Sequence, residues 1–245
     1  MISDRNLAGR SRLRAFTLVE LLVIIALLGV LFSMMAPVMA KAVGKAREVY
    51  CLNNLRNISV AQILFSQDHD DHLTPHAINR MPSLNAIVPN PKMMMWPDLL
   101  ATYIGDKRVF RCPCMKCDLE RGMGYGMNLS VAGDFMVESE VQAPHVSQIQ
   151  NPALAIYFAD AAFITPGTMH RPMIEWQEDT SRSLGAWTIR TPADRFWHWV
   201  PTRVILRHGG RSNVSFVDGH VESRDIQQLG FGYSVGHPKN LWDRH

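Results

Sequence analysis

The feature that most constrains this chain is an uncharged apolar run at residues 21–40, standing directly behind a carboxylate, Glu20. Only Gly29, Ser33 and Pro37 interrupt the run. About 20 apolar residues in a helix span the roughly 30 Å hydrocarbon core of a bilayer. Arg5, Arg10, Arg12 and Arg14 precede the run, and Lys41, Lys45 and Arg47 follow it. That excess favours a cytoplasmic N-terminus with the bulk of the chain crossing the membrane. The same arginines, set against Asp4, account for the whole formal charge of +3. No basic field remains to draw nucleic acid onto the rest of the chain, so no nucleic-acid partner is expected. With 245 residues, 47% hydrophobic and 19% charged, the chain is long enough for one domain plus an extra element. It is too polar for a polytopic membrane protein and too apolar for a disordered tail.

Three readings of the run compete. A secretory signal peptide would be cut after Ala40, but the run is longer than the usual 7–15 residue apolar core. A plain uncleaved anchor fits the length. Neither explains Glu20, because a carboxylate at the edge of an apolar segment is costly and normally has a partner.

The string Ala15, Phe16, Thr17, Leu18, Val19, Glu20 resembles the type IV prepilin processing motif of type IV pilins and type II secretion pseudopilins. The resemblance implies cleavage between Ala15 and Phe16, N-methylation of Phe16, and retention of Glu20 within the apolar helix. The residue before the cut in that family is usually Gly, and Ala15 is small enough for the place. When subunits assemble by their helices, the Glu20 carboxylate can pair with the Phe16 amine of a neighbour, so that two isolated charges become one pair.

The pattern beyond residue 40 continues the helix. Cys51, Leu55, Ile58, Ala61 and Phe65 recur at helical spacing on one face. A helix from residue 16 to about 66 would be roughly 75 Å long. Gly29 and Pro37 are positions where it would bend. It should stop at Asp68, His69, Asp70, Asp71 and His72, ahead of Pro75. Oxygen-rich clusters of this kind suit calcium, which some pseudopilins carry, and the alternative is a solvated turn. No other cofactor is expected.

The remainder reads as one α+β domain. The long helix packs on an antiparallel sheet, after a basic leader (1–15), a membrane segment (16–40) and an amphipathic continuation (41–68). The globular domain (69–245) includes a loop-rich insertion near 166–203. Met93, Met94, Met95 and Trp96 read as core, and residues 96–100 as a short helix with Pro97 at its start. Residues 125–128 read as a turn. Residues 153–159 read as a buried strand ending at Asp160. Cys112, Cys114 and Cys117 cluster in sequence. The Cys114–Cys117 spacing suits a metal, but outside the membrane disulfides are favoured, with free buried thiols as the remaining alternative, and Cys51, Cys112, Cys114 and Cys117 allow three pairings. A bridge from Cys51 would staple the domain to its helix.

Near the C-terminus, His208 is followed after nine residues by Asp218 and Gly219. Residues 214–217 form a strand, Asp218 and Gly219 a two-residue hairpin turn, and residues 220–223 return. Asp218, His220 and His208 could meet as a metal or catalytic group, but the turn explains Asp-Gly. This element resembles the H-X9-DG motif of a large bacterial group of prepilin-like proteins, as do the residues around Cys51 and the Cys112-Pro113 pair. The resemblance implies a structural subunit, not an enzyme. Such a subunit spans the bacterial inner membrane once, with its C-terminal domain extracytoplasmic. Prepilin peptidase/methyltransferase processes it, and it joins other pilin or pseudopilin subunits in a type IV pilus or type II secretion pseudopilus. The competing reading is a membrane-anchored glycan-binding or hydrolytic domain. Trp176, Trp187, Trp197 and Trp199 would then line a cleft, with Glu175, Glu178 and Asp179 as acid and base.

Overall fold

A computed structural model describes residues 16–79, 87–88, 92–115, 122–133, 143–182 and 184–245. The leader, Ala15 and Cys117 therefore lie outside the described residues. The chain divides into two units, Met1–Gly44 and Lys45–His245.

Helix α1 runs from Leu18 to Asp68 through both Gly29 and Pro37. Up to Arg47 every described side chain on it is exposed, including Leu21, Ile25, Leu28, Leu31 and Phe32. Among the described residues it is the one helix long and apolar enough to cross a membrane. An exposed apolar surface of this size calls for lipid or other helices around it.

Within the Lys45–His245 unit the spacing read from the sequence is the buried face. Cys51, Leu55, Ile58, Ala61 and Phe65 are all at most 6% exposed. The helix ends in a turn where Asp70 and Asp71 both take positive φ, 51° and 57°. Strands β1 (Ala77–Ile78) and β2 (Met94–Met95) form a small antiparallel ladder, and α2 (Trp96–Leu100) follows with Pro97 in its first turn. Met93, Met95 and Trp96 are core, as expected.

The main sheet contains β3 (Tyr125–Asn128), β4 (Ile156–Phe163), β5 (Thr188–Ile189), β6 (Thr202–Val204), β7 (Arg211–Phe216) and β8 (Val221–Asp225), and a single helical turn, α3 (Leu129–Ala132), follows β3. The order is β5-β3-β4-β7-β8, with β6 on the far end of β4. All pairings are antiparallel except β3 with β5, which is parallel, so the sheet is mixed. The parallel strand β5 and the start of β6 come from the 166–203 stretch, which contributes to the sheet between its loops.

Two further expectations are corrected. Residues 125–128 are a fully buried strand, not a turn. Gly126 is there for close approach: a Cβ on it would lie 2.7 Å from the Ala161 Cβ and 2.8 Å from Ile189. Strand β4 does not end at Asp160 but continues to Phe163, with Asp160 fully buried inside it.

Two apolar clusters flank the sheet. One joins the α1 face to Trp96, Leu100, Phe110, Cys112, Tyr125, Tyr157 and Phe158. The other lies under the C-terminal tail and joins Ile156, Ile189, Val204, Val214, Phe216, Phe231 and Trp242. Trp176 and Trp197 pack against this second cluster, with ring centres 6.1 and 5.7 Å from Phe231. Trp187 packs on the first cluster. The tryptophans thus build core under a long loop, except Trp199, which is 83% exposed.

Candidate functional site

Two sites emerge, one at the start of α1 and one buried beneath its second half.

At the first, Thr17 and Glu20 close the helix start reciprocally. The Glu20 Oε2 accepts from the Thr17 amide at 2.9 Å and from its hydroxyl at 2.8 Å. The Thr17 Oγ1 accepts from the Glu20 amide at 3.2 Å. This is a capping box, with Thr17 at the cap and Glu20 three residues on. The sequence signal, Thr-x-x-Glu ahead of an apolar run, was available and concerns Thr17 as much as Glu20. Within a single chain, the carboxylate therefore satisfies the Thr17 amide, and the Thr17 hydroxyl satisfies the Glu20 amide, which the helix cannot reach itself. Phe16, immediately before the cap, is 68% exposed.

The second site centres on Asp160 in β4. The β4–β7 register, Ala159 opposite Val214, sets Asp160 beside Asn213, whose amide donates to the Asp160 Oδ2 at 2.6 Å. His208 precedes β7, and its Nε2 lies 3.2 Å from the same oxygen. Arg207 approaches the Asp160 Oδ1 at 3.8 Å. Arg207 also donates to the Glu178 carboxylate at 2.9 Å and to the carbonyls of Gly124 and Ala161. All four charged side chains are at most 5% exposed. Burial opposes the imidazolium of His208, but hydrogen bonds to Asp160 and Cys112 outweigh it and hold the group up at about 10. His208 is thus a cation across the physiological range.

Against this network lie two thiols. Cys51 comes from α1, and Cys112 from the turn after the short 3-10 helix Lys107–Phe110. Their sulfurs are 2.6 Å apart, both residues are fully buried, and the Cys112 Sγ is 3.9 Å from the His208 Nε2. Asn54 donates to the Arg111 carbonyl, and the Tyr125 hydroxyl donates to the Cys51 carbonyl, so polar contacts fix the same junction on both sides. Gly124 leaves room for it, since a Cβ there would fall 2.5 Å from the Cys112 nitrogen. Burial alone would raise the Cys112 thiol. Hydrogen bonds with Cys51 and His208 reverse this and pull it down to about 5, while Cys51 is pushed up. One proton shared between two sulfurs beside a cation explains the split.

Cys51, Cys112 and His208 are the one group of three metal-capable side chains among the described residues whose ligand atoms converge. The run 68–72 does not form such a group. Asp68 accepts from the Tyr103 hydroxyl, His69 stacks on Phe65 at 3.8 Å, and Asp70 and Asp71 build the turn.

The H-X9-DG residues do not meet. His208 joins Asp160, whereas Asp218 lies beyond the other end of β7 and pairs with His220 at 2.6 Å. The hairpin has a three-residue loop, not two: the Phe216 amide donates to the His220 carbonyl and the Gly219 amide to the Phe216 carbonyl. Gly219 sits at φ 92°, the left-handed position that closes such loops. Of the carboxylates considered as acid and base, Glu178 is committed to Arg207, Asp179 to Ser181, and Glu175 lies on the surface near Arg171.

No curated protein and no solved structure matches this chain. Residues 10–36 match the family model of the prokaryotic N-terminal methylation motif, a span that takes in Ala15, Phe16, Thr17 and Glu20. The N-terminal segment of this chain is thus similar to the prokaryotic N-terminal methylation motif.

Proposed function

We propose that the chain is a pilin- or pseudopilin-like structural subunit, carried by the bacterial inner membrane and built into a type IV pilus or type II secretion pseudopilus. Prepilin peptidase cuts between Ala15 and Phe16, and the new Phe16 amine is methylated. The apolar half of α1 holds the subunit in the membrane and then packs against the helices of other subunits. The Lys45–His245 unit remains outside the cytoplasm. The observation that carries this reading is the methylation-motif match across residues 10–36.

The capping box supplies the chemistry of the cut end. Processing removes the residues ahead of Phe16 and creates a cation next to Thr17. The Glu20 carboxylate, already oriented at the helix start, is then within reach of an amine of its own chain or of a neighbour's. In an apolar surround, pairing the two groups across subunits removes two isolated charges at once and fixes the axial register.

The test is the intact mass and N-terminal peptide of the protein recovered from membranes of cells containing prepilin peptidase. The expected chain begins at N-methylated Phe16. A chain beginning at Met1 or at Lys41 overturns the proposal.

A further inference from the structure

We infer that Cys51 and Cys112 are joined by a disulfide in the mature protein, forming a covalent clasp between α1 and the sheet domain. The inference rests on the reading above in one respect: extracytoplasmic placement, where such bonds form and persist.

Three observations lead to it. The sulfurs face one another at 2.6 Å in a fully buried junction, closer than two unbonded sulfurs rest. They are also too close to share a zinc ion. At about 2.3 Å from a tetrahedral zinc, two thiolates stand roughly 3.7 Å apart. The third observation is the charge of the surround. Asp160 and Glu178 balance Arg207 and the His208 imidazolium, so a neutral disulfide leaves the buried network neutral. A divalent cation held by two thiolates would need His208 as a neutral ligand, and one negative charge would remain uncompensated. It would also need the Nε2 that already donates to Asp160. The junction therefore fits a disulfide and not a metal.

The pairing selects Cys112 over Cys114. Cys114 hydrogen-bonds at the edge of the pair but is only half-buried, whereas Cys112 is fully enclosed beneath Gly124. The step requires an oxidant of the disulfide class, either a small molecule or a protein. The Cys112 thiolate attacks one sulfur of that disulfide and expels the other as a thiol. The Cys51 sulfur then attacks Cys112 and releases the second thiol. The two cysteines lose two protons and two electrons, and the oxidant ends as two thiols. Because both sulfurs are fully buried, the exchange precedes closure of α1 onto the domain.

The experiment uses the full chain, recovered from membranes with an alkylating agent present throughout and digested with trypsin without reduction. Residues 48–56 are expected to be linked to residues 112–116, with the linked species lighter by two hydrogens than its two parts. The link should survive Cys114→Ser and disappear in Cys112→Ser. Alkylated Cys51 and Cys112 in the wild type, or a link that persists in Cys112→Ser, overturns the inference. So does stoichiometric zinc in the undigested protein. The same digest reports the N-terminus, so the two proposals fail separately. A Phe16 start with free thiols removes the clasp alone, and a Met1 start with the link present removes the processing alone.

Discussion

Replacing Asp160 with Asn removes the charge from the centre of the buried network while keeping its shape. The carboxylate accepts from the Asn213 amide, faces the His208 Nε2 at 3.2 Å and lies 3.8 Å from Arg207. His208 loses the anion that stabilises its proton, while Arg207 keeps Glu178. With both Asp160 and a free Cys112 sulfur beside it, the proton on His208 is held at about 10 in the fold, against an ordinary 6.5, and a Cys51–Cys112 disulfide leaves only the Asp160 share of that rise. Each tenfold change in proton affinity amounts to about 1.4 kcal/mol, which sets a ceiling near 5 kcal/mol on that group's contribution. Breaking a buried pair by removing one partner costs about 3–5 kcal/mol on independent grounds. The sign follows from the raised affinity. The contribution is fully present below pH 6.5 and is lost as pH rises through about 10. We therefore expect Asp160→Asn to lose about 3–5 kcal/mol at pH 6, with the gap from wild type closing as pH approaches 10.5. The assay is urea unfolding of the full chain in detergent, followed by tryptophan fluorescence at several pH values, since Trp96 and Trp242 lie in the two clusters. A variant within about 1 kcal/mol of wild type at pH 6 refutes the reasoning. A gap that stays constant across the range refutes the assignment to His208.

Three further outcomes are expected. Gly219→Ala should cost about 1–3 kcal/mol, because φ 92° is closed to side chains, and more where the new Cβ meets the Ile63 Cδ1 at 2.4 Å; adding Ile63→Val should recover only the second part in the same unfolding assay. Gly126→Ala, which crowds Ala161 and Ile189, should cost about 1–3 kcal/mol through overpacking, read as a lowered urea midpoint at unchanged slope. Glu20→Ala should abolish filament assembly in cells, as scored by electron microscopy. Thr17→Ala removes the same cap, worth about 1 kcal/mol, but keeps the carboxylate, and should still assemble; equal loss in both would reduce Glu20 to a capping residue.

Local order was legible in the sequence where a single element determined it. The face of α1 follows from five positions at helical spacing, and the end of the helix from a run of Asp and His before Pro75. Thr17 carried a readable cap signature that is easily passed over when attention rests on Glu20. Other features depended on partners far along the chain. Tyr125, Gly126, Met127 and Asn128 have the composition of a turn, and only β4 and β5 on either side make a glycine and an asparagine suitable for a central strand. Asp160 looks like the polar stop of a strand because its partners lie some 50 residues onward, at Arg207, His208 and Asn213. The Cys51–Cys112 contact spans 61 positions. Periodicity reports which face is buried, but not which distant residue arrives opposite it.

The spacing between His208 and Asp218 has a physical account that joins these levels. Strand β7 lies beside α1: His208 comes within 4.8 Å of Cys51 through their ligand atoms, Ser215 hydrogen-bonds Ser59, and Gly219 abuts Ile63. From Cys51 to Ile63 the helix rises roughly 18 Å. A six-residue strand covers about 20 Å. The nine residues between the histidine and the Asp-Gly turn are therefore the length that lets both ends of the strand dock on the same stretch of helix. One end delivers a cation to Asp160, and the other delivers a glycine that leaves space for Ile63. Inserting two residues into β7 preserves the alternation of its faces but lengthens it by about 7 Å, so only one end can remain docked. The inserted chain should lose either the high His208 proton affinity, measured by imidazole chemical shift against pH, or the protection of the Gly219 amide from hydrogen exchange. Retention of both would show that the motif's length is not set by the helix.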